Sequence, residues 1–144
     1  MAKKKHKHMR KFIFTILIST ILTSCFGLFD SGSDTIVDDY KVSWIDIRET
    51  RSLNKGERLV PPYVYAVGHN SKYIYAKQHP LLENTKEKID LKITYYYILE
   101  RTKNTFQDKP IIGPLSKIDF EKRCRELAIK DIEFDLTYPT NLYF

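Results

Sequence analysis

The side chains capable of chemistry are few in this 144-residue chain, and they are scattered. Cys25 and Cys124 offer thiols, and His6, His8, His69 and His79 offer imidazoles. A zinc site needs several Cys, His or carboxylate ligands at short, characteristic spacings. None of these residues has such neighbours, so neither a metal nor a cofactor is expected. Asp38, Asp39 and Asp46 could supply a carboxylate pair for proton transfer, but they stand in no motif. There is no Gly-rich phosphate loop, no His-Glu-x-x-His and no Gly-x-Ser-x-Gly. No catalytic residue is assigned on these grounds, and a non-enzymatic role is expected. What the chain offers instead is aromatic area: Tyr63, Tyr65, Tyr73, Tyr75 and the run Tyr95-Tyr96-Tyr97. Tyrosine presents a large rigid surface at low entropy cost, so Tyr73, Tyr75 and Tyr96 could form a platform for sugar or peptide. Tyrosine also suits a half-buried strand, and packing within a sheet is the competing assignment.

Cys25 differs from the other candidates in what precedes it. Lys3, Lys4, Lys5, Lys7, Arg10 and Lys11 form a basic start, and the run from Phe12 is apolar. A basic stretch, an apolar stretch and a small-residue site together make an export signal. The basic residues hold to the cytoplasmic side, where anionic lipid attracts them. The four residues Leu22-Thr23-Ser24-Cys25 resemble the lipobox of bacterial lipoproteins. The resemblance implies cleavage between Ser24 and Cys25 and a diacylglyceryl group on the Cys25 thiol. Two or three acyl chains would then anchor the chain stably, where one is marginal. The alternative is an uncleaved signal anchor. No charge occurs from Phe12 through Phe29, 18 residues, or roughly 27 Å of helix at ~1.5 Å per residue, close to a bilayer core. Ser24, Cys25 and Gly27 weaken the apolar character of its second half.

The signal also accounts for the charge. The chain has 24 Lys and Arg against 18 Asp and Glu, a net charge of +6. The signal holds six of the basic residues and no acid, so residues 25–144 carry 24 − 6 = 18 basic and 18 acidic side chains. A basic patch for nucleic acid loses its support. With Cys25 acylated, Cys124 has no disulfide partner within the chain and reads as a small core residue.

The elements that must position these groups are read from pattern. Residues 25–39, rich in Gly, Ser and Asp, read as a lipidated, flexible tether. Residues 40–144 have room for a single small domain. Tyr40 to Ile47 is the first expected strand, followed by turn chemistry at Asn54-Lys55-Gly56-Glu57. Tyr63 to Val67 and Tyr73 to Lys77 flank Gly68-His69-Asn70-Ser71 and predict a hairpin. Leu91 to Glu100 alternates and predicts a half-buried antiparallel strand, with Ile111-Ile112 as a short partner. Ser116 to Ile129 predicts one helix, capped by Ser116 with Asp119 at its third position, and striped by Phe120, Cys124, Leu127 and Ala128. Ile132 to Leu136 alternates and predicts a last strand. The expected fold class is α+β: a small antiparallel sheet of about five strands with one C-terminal helix packed on it.

Residues 68–78 (Gly-His-Asn-Ser-Lys-Tyr-Ile-Tyr-Ala-Lys-Gln), Tyr-Tyr-Ile-Leu at 96–99 and Gly-Pro-Leu-Ser at 113–116 with the helix behind it resemble a family of short bacterial lipoproteins, the domain of unknown function 3997. That resemblance lends no activity. The combined expectation is an exported, membrane-anchored protein of the bacterial cell envelope, held by lipid and acting as a binding or accessory module. An envelope protein or a glycan is the expected partner. A motif-free envelope hydrolase using Asp46 or His69, and an immunity-type inhibitor, are the alternatives.

Overall fold

The computed structural model describes residues 30–82, 88–103 and 110–140. The chain divides into two compact units, Met1–Asp30 and Ser31–Phe144. All the strands and the helix named below belong to the second unit. The cleavage and acylation positions Ser24 and Cys25, and the apolar run before them, lie outside the described residues. Among the described residues no helix is long and apolar enough to cross a membrane.

Among the described residues, nine strands form two antiparallel sheets. The first sheet is a meander of β1 (Ser31–Val37), β2 (Tyr40–Ile45), β3 (Ser52–Lys55) and β4 (Glu57–Val60). The second contains β5 (Val64–His69), β6 (Tyr73–Gln78), β7 (Tyr95–Glu100), β8 (Ile112–Leu115) and β9 (Leu136–Thr137), in the spatial order β8-β7-β6-β5-β9. An α-helix, α1 (Lys117–Glu126), packs on the second sheet. The class is α+β, with a five-stranded sheet carrying the C-terminal helix and a four-stranded sheet added on its other face.

Strand periodicity explains the layering. Successive side chains of β6 and β7 point to opposite faces. Ile74, Ala76, Tyr97 and Leu99 face the first sheet and join Tyr40, Val42, Leu53 and Val60 in one core. Tyr73, Tyr75 and Ile98 face the other way and join Phe120, Cys124 and Ile129 in a second core beneath α1. The five-stranded sheet is thus the middle layer, buried on both faces, and β7 is not the half-buried strand its alternation predicts. The layers are also stitched at one end. Arg101 at the end of β7 pairs with Asp38 in the β1–β2 turn at 2.8 Å. The Lys55 ammonium donates to the Thr102 carbonyl, and the Thr102 N–H donates to the Tyr40 hydroxyl at 3.2 Å.

Four boundaries depart from the sequence reading, each for a local reason. The expected tether contains β1, seven residues whose alternate side chains face inward. It pairs with β2 from Ser31↔Ile45 to Val37↔Tyr40, so residues 31–37 are a strand rather than part of a tether. Asp38 closes that hairpin with φ +50, a left-handed conformation that Asp tolerates better than most residues. Leu91 and Lys92 form a turn, where Asp90 Oδ1 accepts from the Lys92 N–H, and pairing starts only at Tyr95. The helix stops at Glu126 because Ala128 turns left-handed (φ +54) and the Ile129 N–H returns to the Cys124 carbonyl. Residues 131–135 do not form the expected strand. They cross the face of the middle sheet, with the Glu133 carbonyl lying against Gly68, where any Cβ would sit 1.9 Å from that oxygen. Only Leu136 and Thr137 pair with β5.

The predicted hairpin and cap are present. Asn70 Oδ1 accepts from the N–H groups of Lys72 and Tyr73 at 2.8 and 2.7 Å and so folds the β5–β6 turn. The Ser116 hydroxyl accepts from the Asp119 N–H at 3.2 Å and donates to the Asp119 carboxylate at 2.6 Å.

Candidate functional site

The tyrosines singled out for a ligand platform go to different places. Tyr73 is 7% exposed and Tyr75 1% exposed, so neither can meet a ligand; this corrects the platform expectation. Their rings lie under α1 because the even spacing along β6 aims them at the helix side. The Tyr75 hydroxyl accepts from the Glu133 N–H at 3.3 Å, and its ring meets Phe134 edge-on at 5.2 Å. Tyr96 stays half-buried, with its ring stacked 4.8 Å from Phe120. Lys77 reaches over Phe134, 4.0 Å from the ring centre, and burial holds its amine below the ordinary lysine value.

The remaining candidates are tied into the framework. His79 is buried, stacks flat on Tyr65 at 4.2 Å, and places Nδ1 2.7 Å from the Ile93 carbonyl. His69 lies 3.8 Å from Asp135. Cys124 is buried on the inner face of α1, and that burial pushes its thiol up. Asp46 stands in the exposed connection after β2 with φ +64. His69, His79 and Asp46 are therefore not brought together. No group of three or more His, Cys, Asp or Glu residues able to hold a metal occurs among the described residues.

A different set of residues does converge, at the end of the first sheet where β1 begins. Gly32 is opposite Trp44 in the β1–β2 ladder. A Cβ on Gly32 would fall 2.2 Å from the indole, so the absence of a side chain there is what seats the ring. The β2–β3 ladder runs to Ser43↔Ser52, which brings Arg51 beside Trp44. The Arg51 guanidinium carbon lies 5.2 Å from the Trp44 ring and 4.2 Å from the Tyr138 ring, a cation between two aromatic faces. The Tyr138 hydroxyl donates to Asp34 at 2.8 Å; burial, followed by that carboxylate, pushes its pKa well up.

The electrostatics of this cluster are incomplete. Arg51 is 9% exposed. Among the described residues no acceptor takes a hydrogen bond from its guanidinium and no carboxylate pairs with it. Arg51 Nε and Trp44 Nε1 are both buried without an acceptor. Buried charges are ordinarily paired, since an unpaired one costs several kcal/mol or more. The two rings stabilise the charge in place of a carboxylate, and the guanidinium has the geometry that binds oxyanions where one can reach it.

Sequence reasoning missed Gly32, Trp44, Arg51 and Tyr138. The one legible signal was phase, as Tyr40, Val42 and Trp44 fall on one face of a strand. The partners come from β1, hidden in a Gly-Ser-Asp stretch, and from the C-terminal segment, and only strand register joins them.

Residues 35–139 match the model of a family described as a protein of unknown function, DUF3997, and the chain belongs to that family. No curated protein and no solved structure matches it.

Proposed function

We propose that the protein is a lipid-anchored module of the bacterial cell envelope that acts by binding, close to the membrane surface. The observation that carries this reading is the start of β1 at Ser31. Processing at the lipobox would make Cys25 the first residue. Only residues 26–30 would then separate the acylated cysteine from the folded domain. Six Cα-to-Cα steps of roughly 3.3–3.6 Å cannot exceed about 22 Å. The domain is on this reading a juxtamembrane body rather than one on a long leash. A binding role is supported by the use to which its reactive groups are put: His79 and Cys124 serve the packing, while Arg51 is left without an anionic partner among the described residues.

The test is the intact mass of the protein from its own membranes, beside a Cys25→Ala variant. A native chain beginning at a di- or triacylated Cys25, with the variant retaining residues 1–24, is the expected result. A full-length chain with unmodified Cys25 overturns the reading.

A further inference from the structure

We propose that Lys77 is a covalent capture site, whose side-chain amine forms an imine with small aldehydes, aromatic ones above all. The site lies on the helix side of the middle sheet and does not rest on the lipid-anchor reading.

Strand register places the amine. Leu115, Tyr96, Lys77, Ala66 and Thr137 are successive partners across β8, β7, β6, β5 and β9, so they form one row. Lys77 follows Tyr75 by two residues on β6 and shares its face, the one covered by α1 and Phe134. In that row the small side chain of Ala66 lies on one side of Lys77 and the ring of Tyr96 on the other. The Lys77 nitrogen lies 4.0 Å from the ring centre of Phe134 and 5.9 Å from that of Tyr96. Lys77, Tyr96 and Phe134 are all half-buried, so a small solute can reach the amine and part of each ring.

Nothing polar holds this amine. Among the described residues no carboxylate pairs with Lys77 and no acceptor takes a hydrogen bond from it. The charged groups on the covering elements have other neighbours: Lys117 and Glu121 of α1 pair at 3.8 Å, and Asp135 lies 3.8 Å from His69. Burial, followed by the Lys117 ammonium, holds the Lys77 amine below its ordinary value. A larger share of it than of an exposed lysine therefore carries a free lone pair at neutral pH, although the ring faces favour the ammonium and offset part of this. A lysine desolvated among apolar groups, or set beside another cation, is an activated amine for carbonyl chemistry. Its lone pair adds to the carbonyl carbon. Both amine protons then leave with the carbonyl oxygen as water, and a C=N bond remains, with no oxidant or reductant consumed. The faces of Phe134 and Tyr96 beside the amine are what favour an aromatic aldehyde.

The purified protein is treated with benzaldehyde and sodium cyanoborohydride at pH 7, and the labelling rate of each lysine is read by peptide mass mapping. The hydride of the reagent fixes each imine as a secondary amine. Lys41 and Lys122 are exposed and serve as internal references. The expected result is that Lys77 is labelled faster than both by about threefold or more, in spite of its lower exposure. Lys117→Gln removes the neighbouring cation at an exposed helix position, keeps the fold by far-UV circular dichroism, and is expected to reduce the lead of Lys77. With propanal in place of benzaldehyde the lead should also shrink, because an aliphatic aldehyde gains nothing from the rings. Wild-type Lys77 labelled no faster than Lys41 and Lys122 overturns the capture site, with no variant needed. A lead that is the same for propanal as for benzaldehyde overturns the aromatic preference. The labelling pattern does not depend on the state of Cys25, so failure of the capture site and failure of the lipid anchor are read separately.

Discussion

Replacing Arg51 by methionine should leave the protein as stable or make it more stable. Arg51 is 9% exposed, and its Nε is buried with no hydrogen-bond acceptor among the described residues. Removing such an ion from water costs several kcal/mol. Two aromatic faces at 5.2 and 4.2 Å return part of this, at about 1–2 kcal/mol each when desolvated. Methionine has a similar length, carries no charge, and gains about 0.3–1.5 kcal/mol for each sulfur–aromatic contact. The ion's desolvation disappears while the slot between Trp44 and Tyr138 stays filled. The net expectation is a gain of about 1 kcal/mol, with no change as the lower bound. In urea, with a slope near 2 kcal/mol per molar, a gain of that size moves the midpoint up by about 0.5 M. Far-UV circular dichroism should follow the transition, because Trp44 emission will respond to the lost cation regardless of stability. A loss of more than about 2 kcal/mol would refute the reasoning, since that is the cost of breaking a satisfied buried interaction. Arg51 would then be a structural ion. Arg51→Ala discriminates further: it opens a gap between two rings and should destabilise whichever account holds.

Two further predictions concern parts of the fold away from Arg51. Ala128 ends α1 with φ +54, a conformation that costs a residue with a Cβ about 1–2 kcal/mol. Ala128→Gly relieves this against a smaller backbone-entropy cost, so the midpoint of thermal unfolding should rise by a few degrees; a fall would mean the helix end is set otherwise. The hydrogen bond and charge from Arg101 hold the Asp38 carboxyl below its ordinary value of 3.8. A lowered carboxylate contributes stability that is complete above that value and is lost as pH falls through the folded-state pKa. Asp38→Asn should therefore flatten the acid limb of a stability–pH profile below about pH 4 and leave its neutral-to-alkaline shape unchanged. An unchanged acid limb would remove Asp38 from the linkage.

The middle layer was the readable part of this chain. Its hairpin is announced by Gly68 to Ser71 between two β-branched and aromatic runs, and Asn70 folds the turn through its own side chain. Ser116 and Asp119 announce the helix start in the same local way. What sequence pattern did not deliver was the second face. Period-two alternation in β7 separates two sets of side chains without saying that both are covered. The cover on one of them is a sheet whose first strand, β1, reads Ser-Gly-Ser-Asp-Thr-Ile-Val. Its composition signals a loop, and it becomes a strand because β2 offers a ladder and because Gly32 leaves room for Trp44. Tyr73 and Tyr75 illustrate the same limit: their spacing on β6 is plain, but whether that face meets solvent or a helix is decided forty residues further on.

The departure at β1 is also the one with functional weight. A flexible segment of fourteen residues, 26–39, would let an anchored domain rotate freely and present any face to the membrane. On the lipid-anchor reading, β1 beginning at Ser31 leaves only residues 26–30 between Cys25 and the first strand. Ser31 pairs with Ile45 at one end of the β1–β2 hairpin, and the turn at Asp38 closes the other. The two ends of that hairpin differ in kind. At the turn, Asp38 pairs with Arg101 and the Thr102 backbone is held from Lys55 and Tyr40, a set of contacts that completes itself within the domain. At the Ser31 end, Arg51 Nε and Trp44 Nε1 are buried with no acceptor among the described residues. A domain stabilised by every group it buries would have no reason to leave such donors unmet.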